Sequence, residues 1–322
     1  MTDAAIRMVN ITKRFGNKTI LNDINLDILS GEILGIIGMS GSGKTTLLNA
    51  MIGFLQPEMG DILFKMEHLL NIKDSKQYRS IFSDPHDIKT MFGFSSQEPS
   101  IYSKLTTYEN LDYFGRLYNL PKSVRQTNID ILLHLMKLND SRKVAAGSLS
   151  GGMQKRLDIA CALIHDPKIL ILDEPTSNLD PILRKEMWNF IREINKKGTT
   201  IILSSHFLDE LESYCDRISI LYNSEITITE SPSEIKRYYA KEQEISIQAE
   251  KDYDEIIEEL QNKDSLKITG CQVHGRRLMI RSANVEEALK FILKAGYDLQ
   301  DITVTDPSLQ DVLETINEGY ST

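Results

Sequence analysis

The chain has 322 residues, with 37 Lys and Arg against 46 Asp and Glu and a formal net charge of −9. At 41% hydrophobic and 26% charged residues it has the composition of an ordinary globular protein, and its length suits one main domain with a smaller companion. Residues 241–322 hold 9 basic and 17 acidic groups against 28 and 29 in residues 1–240, so neither part has the basic excess expected of a nucleic-acid binder or of a segment held on anionic lipid.

The opening residues, MTDAAIRMVN, lack the apolar core of a signal peptide. Residues 6–11 and 20–28 alternate apolar and polar side chains, which predicts two half-buried strands. ILGIIG (33–38) is a continuous apolar run ending in a glycine-rich loop, the pattern of a strand buried on both faces. The loop leads into TTLLNAMIG, a helical pattern closed by Gly53. Residues 65–90 are polar and poorly patterned, as an inserted subdomain or a mobile loop would be. ILIL (169–172) and IILSS (201–205) are two further buried strands. Between them, residues 182–197 predict a helix whose end at Lys196, Lys197 and Gly198 suits a C-terminus in both charge and backbone freedom. Alternation of apolar strands with helices implies an α/β fold with a mainly parallel core sheet.

From about residue 241 the pattern becomes βαββαβ with one extra helix, a small α+β unit. The expected domains are therefore 1–240 and 241–322. No apolar run approaches the roughly 18–20 residues needed to span a bilayer. Cys161, Cys215 and Cys271 lack metal-ligand spacing and read as small buried hydrophobes of a protein in a reducing cytoplasm.

Three segments carry chemistry. Gly38-Met39-Ser40-Gly41-Ser42-Gly43-Lys44-Thr45 fits G-x-x-x-x-G-K-[ST] between a buried strand and a helix. Its glycines let backbone N–H groups curl around phosphates, and the helix start adds partial positive charge. Lys44 is the candidate for the β- and γ-phosphates and the Thr45 hydroxyl for Mg²⁺, with Thr46 following in the same nucleotide-binding segment. Second, Asp173 and Glu174 abut ILIL at the end of a buried strand, where α/β sheets place ligands. Asp173 is a candidate Mg²⁺ partner, and Glu174 a candidate to polarise a water for attack on the γ-phosphate. Third, Ser150, Gly151 and Gly152 open a long helical pattern and form a second anion-binding helix start. Two such ends so far apart in one chain make sense if each triphosphate is sandwiched between two protomers.

With these motifs in this order, residues 5–238 resemble the ATP-binding cassette (ABC) ATPase family. Gly38 to Thr45 resembles Walker A; Ile169 to Asp173 resembles Walker B, with Glu174 as catalytic base; Leu149 to Met153 resembles the signature motif, completed across a head-to-tail dimer. Met153 stands where Gln is most often found, a departure seen in the exporter-type branch. The resemblance implies a D-loop at Ser177 to Asp180, with Asp180 in the nucleotide-binding set, and a Q-loop glutamine at Gln97 that senses Mg²⁺ and the membrane partner. It further implies a switch histidine at His206 and adenine stacking on Phe15. The Lys44-to-Gln97 interval is longer than usual for the family because of residues 65–90. The tail VTDPSLQDVLETI resembles the accessory C-terminal domain of exporter-type ATPases, with a role in regulation or dimer contact, or as a packing appendage.

The resemblance implies a P-loop NTPase fold: a parallel core sheet with antiparallel β and helical subdomains, followed by a small α+β domain. It implies an ATPase requiring ATP and Mg²⁺, working as a dimer with a second copy or a paralogue. Separate transmembrane permease subunits would hold it at the cytoplasmic face of the cell membrane, and no nucleic acid is expected. Two other readings stand beside it. A soluble ABC switch in translation or DNA repair would be expected to carry two cassettes, a long coiled coil or basic surfaces. A P-loop small-molecule kinase would not need the signature motif, the D-loop or His206.

Overall fold

The computed structural model describes residues 4–65, 78–83, 90–177, 179–239, 243–249, 253–305 and 308–319. They divide into two units, Met1–Ser231 and Pro232–Thr322. The first unit opens with a hairpin of β1 (Ala4–Phe15) and β2 (Lys18–Leu29). The expected alternation is present in both strands but changes phase: buried Met8 is followed by buried Ile11, and buried Leu21 by buried Ile24. The extra residues include Asn10 and Asp23, both at left-handed φ of 52° and 49°. The ladder shifts register there, and Asn10 Nδ2 donates to Asp23 Oδ1 at 2.7 Å. The bulges keep apolar side chains on the core face at both ends of each strand. Strands β4 (Met59–Lys65) and β5 (Tyr78–Ser80) complete an antiparallel sheet of order β2-β1-β4-β5. The polar stretch expected as a subdomain or loop lies largely outside the described residues, at 66–77 and 84–89.

The second sheet holds β3 (Ile33–Ile37), β6 (Phe92–Ser95), β7 (Ile169–Asp173), β8 (Thr200–Ser204), β9 (Arg217–Tyr222) and β10 (Glu225–Glu230). Its order is β10-β9-β3-β8-β7-β6, with β10 antiparallel to β9 and every other pairing parallel. The three strands expected from continuous apolar runs, β3, β7 and β8, are buried at every position. Because the strands run the same way, the loops after β3, β6, β7 and β8 open at one edge of the sheet, where α/β sheets receive ligands.

Helix α1 (Lys44–Met51) buries Leu47, Leu48, Ala50 and Met51 in a core shared by residues of both sheets. Helices α2 (Thr107–Leu117) and α3 (Lys122–Leu135) pack together, and α2 also packs on α4 (Gly151–Leu163), which lies against β6 and β7. Helix α2 begins with a reciprocal cap: Glu109 N–H donates to Thr106 Oγ1 while Thr106 N–H donates to the Glu109 carboxylate. Helix α5 (Pro181–Lys196) buries Met187, Trp188 and Ile191, and α6 (Leu208–Tyr214) follows β8.

The second unit starts with α7 (Pro232–Tyr239), so its first helix comes from the stretch that the sequence alone assigned to the end of the first domain. It continues β11 (Gln243–Ala249), α8 (Tyr253–Gln261), β12 (Ile268–His274), β13 (Arg277–Ser282), α9 (Val285–Lys294), β14 (Leu299–Thr305) and α10 (Leu309–Gly319). All pairings are antiparallel in the order β12-β13-β11-β14, a split βαβ arrangement. Ile245, Ile247, Leu278 and Ile280 from the sheet pack with Ile256, Leu260, Ala288 and Ile292 from α8 and α9. Helix α7 packs against α10, where Ile235, Leu309, Val312 and Ile316 are buried. Among the described residues, no helix is long and apolar enough to cross a membrane.

Candidate functional site

The loop between β3 and α1 is shaped by glycines that cannot be replaced freely. A Cβ on Gly38 would come 2.4 Å from the Leu221 carbonyl oxygen. Gly43 has φ 107°, and its Cβ would meet Ile20 Cγ2 at 2.9 Å. Gly43 also caps α1 without any side chain accepting from the first turn, which leaves the leading N–H groups free for an anion. Lys44 Nζ donates to the carbonyls of Gly38 at 2.8 Å and Met39 at 3.1 Å. Partial burial lowers the proton affinity of its amine, and the nearby Glu174 and Asp173 carboxylates oppose that shift.

Two strand ends are sewn together opposite this loop. Asp173 at the end of β7 is buried; its Oδ2 accepts from Thr45 Oγ1 at 2.8 Å and its Oδ1 from Ser204 Oγ at 2.5 Å. Glu174 takes a left-handed φ of 51°, and its N–H donates to the carbonyl oxygen and the hydroxyl of Ser204, at 3.2 and 3.1 Å. His206 Nδ1 donates to Glu174 Oε2 at 2.7 Å. A carboxylate and a hydroxyl already within hydrogen-bond distance form a hard-oxygen set of the kind Mg²⁺ prefers. Ser42 Oγ, in the same glycine loop, is buried without a hydrogen-bond partner among the described residues. Among those residues no three His, Cys, Asp or Glu side chains converge on a metal position. The set therefore fits an ion that would draw its remaining oxygens from a phosphate and water.

A cleft of about 590 Å³ joins these groups. Phe15, Gly38, Ser40, Gly41, Gly43, Lys44, Thr45, Thr46, Gln97, Asp173, Glu174 and His206 line it, together with Ile20 and Ser177. Phe15 stands at the end of β1, 52% exposed, with the Lys13 ammonium 5.5 Å from its ring centroid. Met39 and Ser42 belong to the same loop but do not line the cleft. Four other expected residues lie elsewhere. Ser150 caps α4 by accepting from Met153 N–H at 3.4 Å, and Gly151 and Gly152 form the first residues of that helix. A Cβ on Gly151 would meet nothing within 4 Å. Asp180 caps α5, accepting from Ile182 and Leu183 N–H at 3.0 Å each. None of these four lines the cleft. Asn178, in the segment between Ser177 and Asp180, lies outside the described residues.

Sequence reasoning did not find Ser204, Ile20 or Lys155. Ser204 was visible only as one serine of IILSS. Ile20 sits in an ordinary strand pattern, and its role comes from crowding Gly43. Lys155 did carry a signal, a cation embedded in the apolar face of a long helix.

Comparison with known proteins is consistent with this geometry. Residues 21–177 match the sequence profile of the family described as "ABC transporter". The chain is 34% identical over 221 residues to the Nod factor export ATP-binding protein I of Bradyrhizobium diazoefficiens, covering 69% of this chain and 68% of that one. It is 30% identical over 263 residues to the probable multidrug ABC transporter ATP-binding protein YbhF of Escherichia coli, covering 82% of this chain but only 43% of that relative. Among solved structures, the dimeric post-hydrolysis state of the ATP-binding cassette MJ0796 bound to ADP and Pi superposes with a TM-score of 0.62. That match has 26% identity and covers 70% of this chain and 98% of the other.

Proposed function

The chain belongs to the ABC transporter family of ATP-binding proteins, and from that premise we propose that it is the ATP-hydrolysing subunit of an exporter. The observation that carries the reading is the division of the site. The glycine loop, Asp173, Glu174, Gln97 and His206 share one cleft, while the helix start at Ser150 to Gly152 lies outside it with open space at Gly151. Such an arrangement is incomplete in one chain and complete in a head-to-tail pair.

In this mechanism the N–H groups around Gly41 to Thr46 and the Lys44 ammonium hold the β- and γ-phosphates, and the adenine stacks on Phe15. Thr45, Asp173 and Gln97 would hold Mg²⁺, which would supply neutralisation of phosphate charge. Ser150, Gly151 and Gly152 of the second chain close over the γ-phosphate. Asp180, which caps α5, is the residue that would link the two sites. Glu174 accepts a proton as water attacks the γ-phosphorus in line; the bond to the β-γ bridging oxygen breaks, and ADP and phosphate leave. His206, hydrogen-bonded to Glu174, orients that carboxylate and faces the transferred group. Hydrolysis removes the bridge between the chains, so closing and opening become a stroke on separate membrane subunits.

A groove of about 230 Å³ beside the Gln97 loop supports a membrane partner. Phe92, Phe94, Phe114 and Tyr118 line it, with Phe54 80% exposed at its rim, and it suits the apolar side of a short partner helix. The second unit, which carries no nucleotide motif, is assigned to dimer contact or regulation. Steady-state hydrolysis tests the core of the proposal. Glu174→Gln is expected to keep ATP binding while kcat falls by about 100-fold or more. Unchanged kcat, or transfer of the phosphate to a small-molecule acceptor, would refute it.

A further inference from the structure

Two ionic side chains are buried in α4, beyond its first turn: Lys155 and Asp158, each 3% exposed. They lie one turn apart on the helix that packs on β6 and β7. Burying charge is costly unless hydrogen bonds replace the lost water, so the partners show what the charges are for. Lys155 Nζ donates to the carbonyl of Ser96 at 2.6 Å and to that of Asp173 at 3.0 Å. Asp158 accepts from Ser95 Oγ at 2.6 Å and from the Ser100 N–H at 2.8 Å. The two charges attract each other, yet these bonds go to the segment 95–100 and to the residue before Glu174. Gln97 lies in the middle of that segment.

We propose that Lys155 and Asp158 are positioning residues for hydrolysis, fixing Gln97 and Glu174 relative to the helix whose first turn engages the second chain's nucleotide. The proposal rests on the reading of Gln97, Glu174 and Ser150 given above. Its physical basis is that one ammonium bridges the carbonyl just after β6 and the carbonyl that ends β7, while one carboxylate holds Ser95 and Ser100 on either side of Gln97. A neutral side chain at position 155 leaves two carbonyls unpaired and frees the Gln97 loop from the start of the Glu174 turn. Movement of α4 on dimer closure then no longer carries Gln97 with it. Among the described residues the pair makes no direct hydrogen bond to Lys44, whose own bonds go to Gly38 and Met39, so ground-state binding of nucleotide without metal is expected to change little.

The test uses the full-length protein with Lys155→Met, which keeps length but donates nothing, and Ser95→Ala, which removes one bond to Asp158 without stranding a charge. For both variants the ATP dissociation constant in EDTA is expected to stay within about twofold of the wild type, while the affinity gained on adding Mg²⁺ falls about threefold or more. In hydrolysis, kcat is expected to fall about tenfold with KM within about threefold, and Lys155→Met adds less than about twofold to the loss in Gln97→Ala. If Lys155→Met does not fold, Ser95→Ala carries the same measurements. Wild-type Mg²⁺ response and kcat in the variants, alongside a lost response in Gln97→Ala, overturn the positioning role alone; so does a Lys155→Met effect that multiplies fully with Gln97→Ala. A wild-type Mg²⁺ response in Gln97→Ala itself contradicts the underlying assignment of Gln97 and overturns both.

Discussion

At φ 51° Glu174 occupies backbone space that few residues other than glycine visit, and such strain persists only where surrounding bonds over-determine it. Here the bonds are visible: two to Ser204 from its N–H and one from His206 to its carboxylate. The result is a carboxylate aimed into the cleft by the end of β7 rather than left to solvent. Gly43 is the complementary case, a position where the left-handed φ and the nearby Ile20 permit only glycine. Gly43→Ala is expected to destabilise the first unit by about 1–3 kcal/mol and to weaken ATP binding, because the strained loop can no longer turn its N–H groups inward. Chemical denaturation and calorimetric titration of the same variant check both effects; unchanged affinity would show that the loop does not depend on that geometry. At this scale the sequence was informative wherever chemistry needs neighbours in the chain. Gly38 to Thr45 and Asp173-Glu174 are contiguous, so their residue types alone expose them. Ser204 and Lys155 act on residues far away in sequence, and only the fold brings them together.

Single elements show where pattern reading succeeds and where it stops. The buried strands β3, β7 and β8 are short apolar runs covered on both faces, which leaves few alternatives to a central parallel sheet. The bulges in β1 and β2 were not legible, since a one-residue slip leaves composition unchanged while reversing the face of each side chain. Helix α2 is not evident from the sequence pattern although Thr106 and Glu109 spell a capping box, because tyrosines crowd the segment and blur its period. His165, just past α4, fixes that helix to its neighbours: its ring stacks on Tyr118 with centroids 3.5 Å apart, and Nε2 lies 3.1 Å from the Phe92 carbonyl oxygen. Nδ1 is buried with no hydrogen-bond partner among the described residues, and burial lowers the imidazole pKa from 6.5 to about 4. The unfolded chain therefore takes up this proton first as pH falls. His165 contributes its stability above about pH 6.5, and that contribution is lost as pH falls through about 4. Between those limits the wild type should lose up to about 3 kcal/mol more than His165→Phe, which keeps the stack but cannot be protonated. Urea denaturation across the range reads this difference; parallel pH profiles would contradict it.

For the whole molecule, the division of charge separates a nearly balanced first part from an acidic second one, and the second unit is a complete βαββαβ fold with its own core. The order of its elements was readable because each strand and helix is short and separately patterned. The place where the chain passes from one unit to the other was less so, since α7 packs with α10 at the far end of the sequence. The central claim concerns two chains rather than one: the cleft holding Lys44 and Glu174 must be closed by the Ser150 helix start of another copy. The most direct measurement is the solution mass of full-length Glu174→Gln by light scattering, with and without Mg-ATP, beside the double variant that also carries Lys44→Ala. The account predicts that Mg-ATP converts Glu174→Gln to a stable species of twice the monomer mass and leaves the double variant unchanged. A Glu174→Gln chain that binds Mg-ATP yet stays monomeric would contradict it.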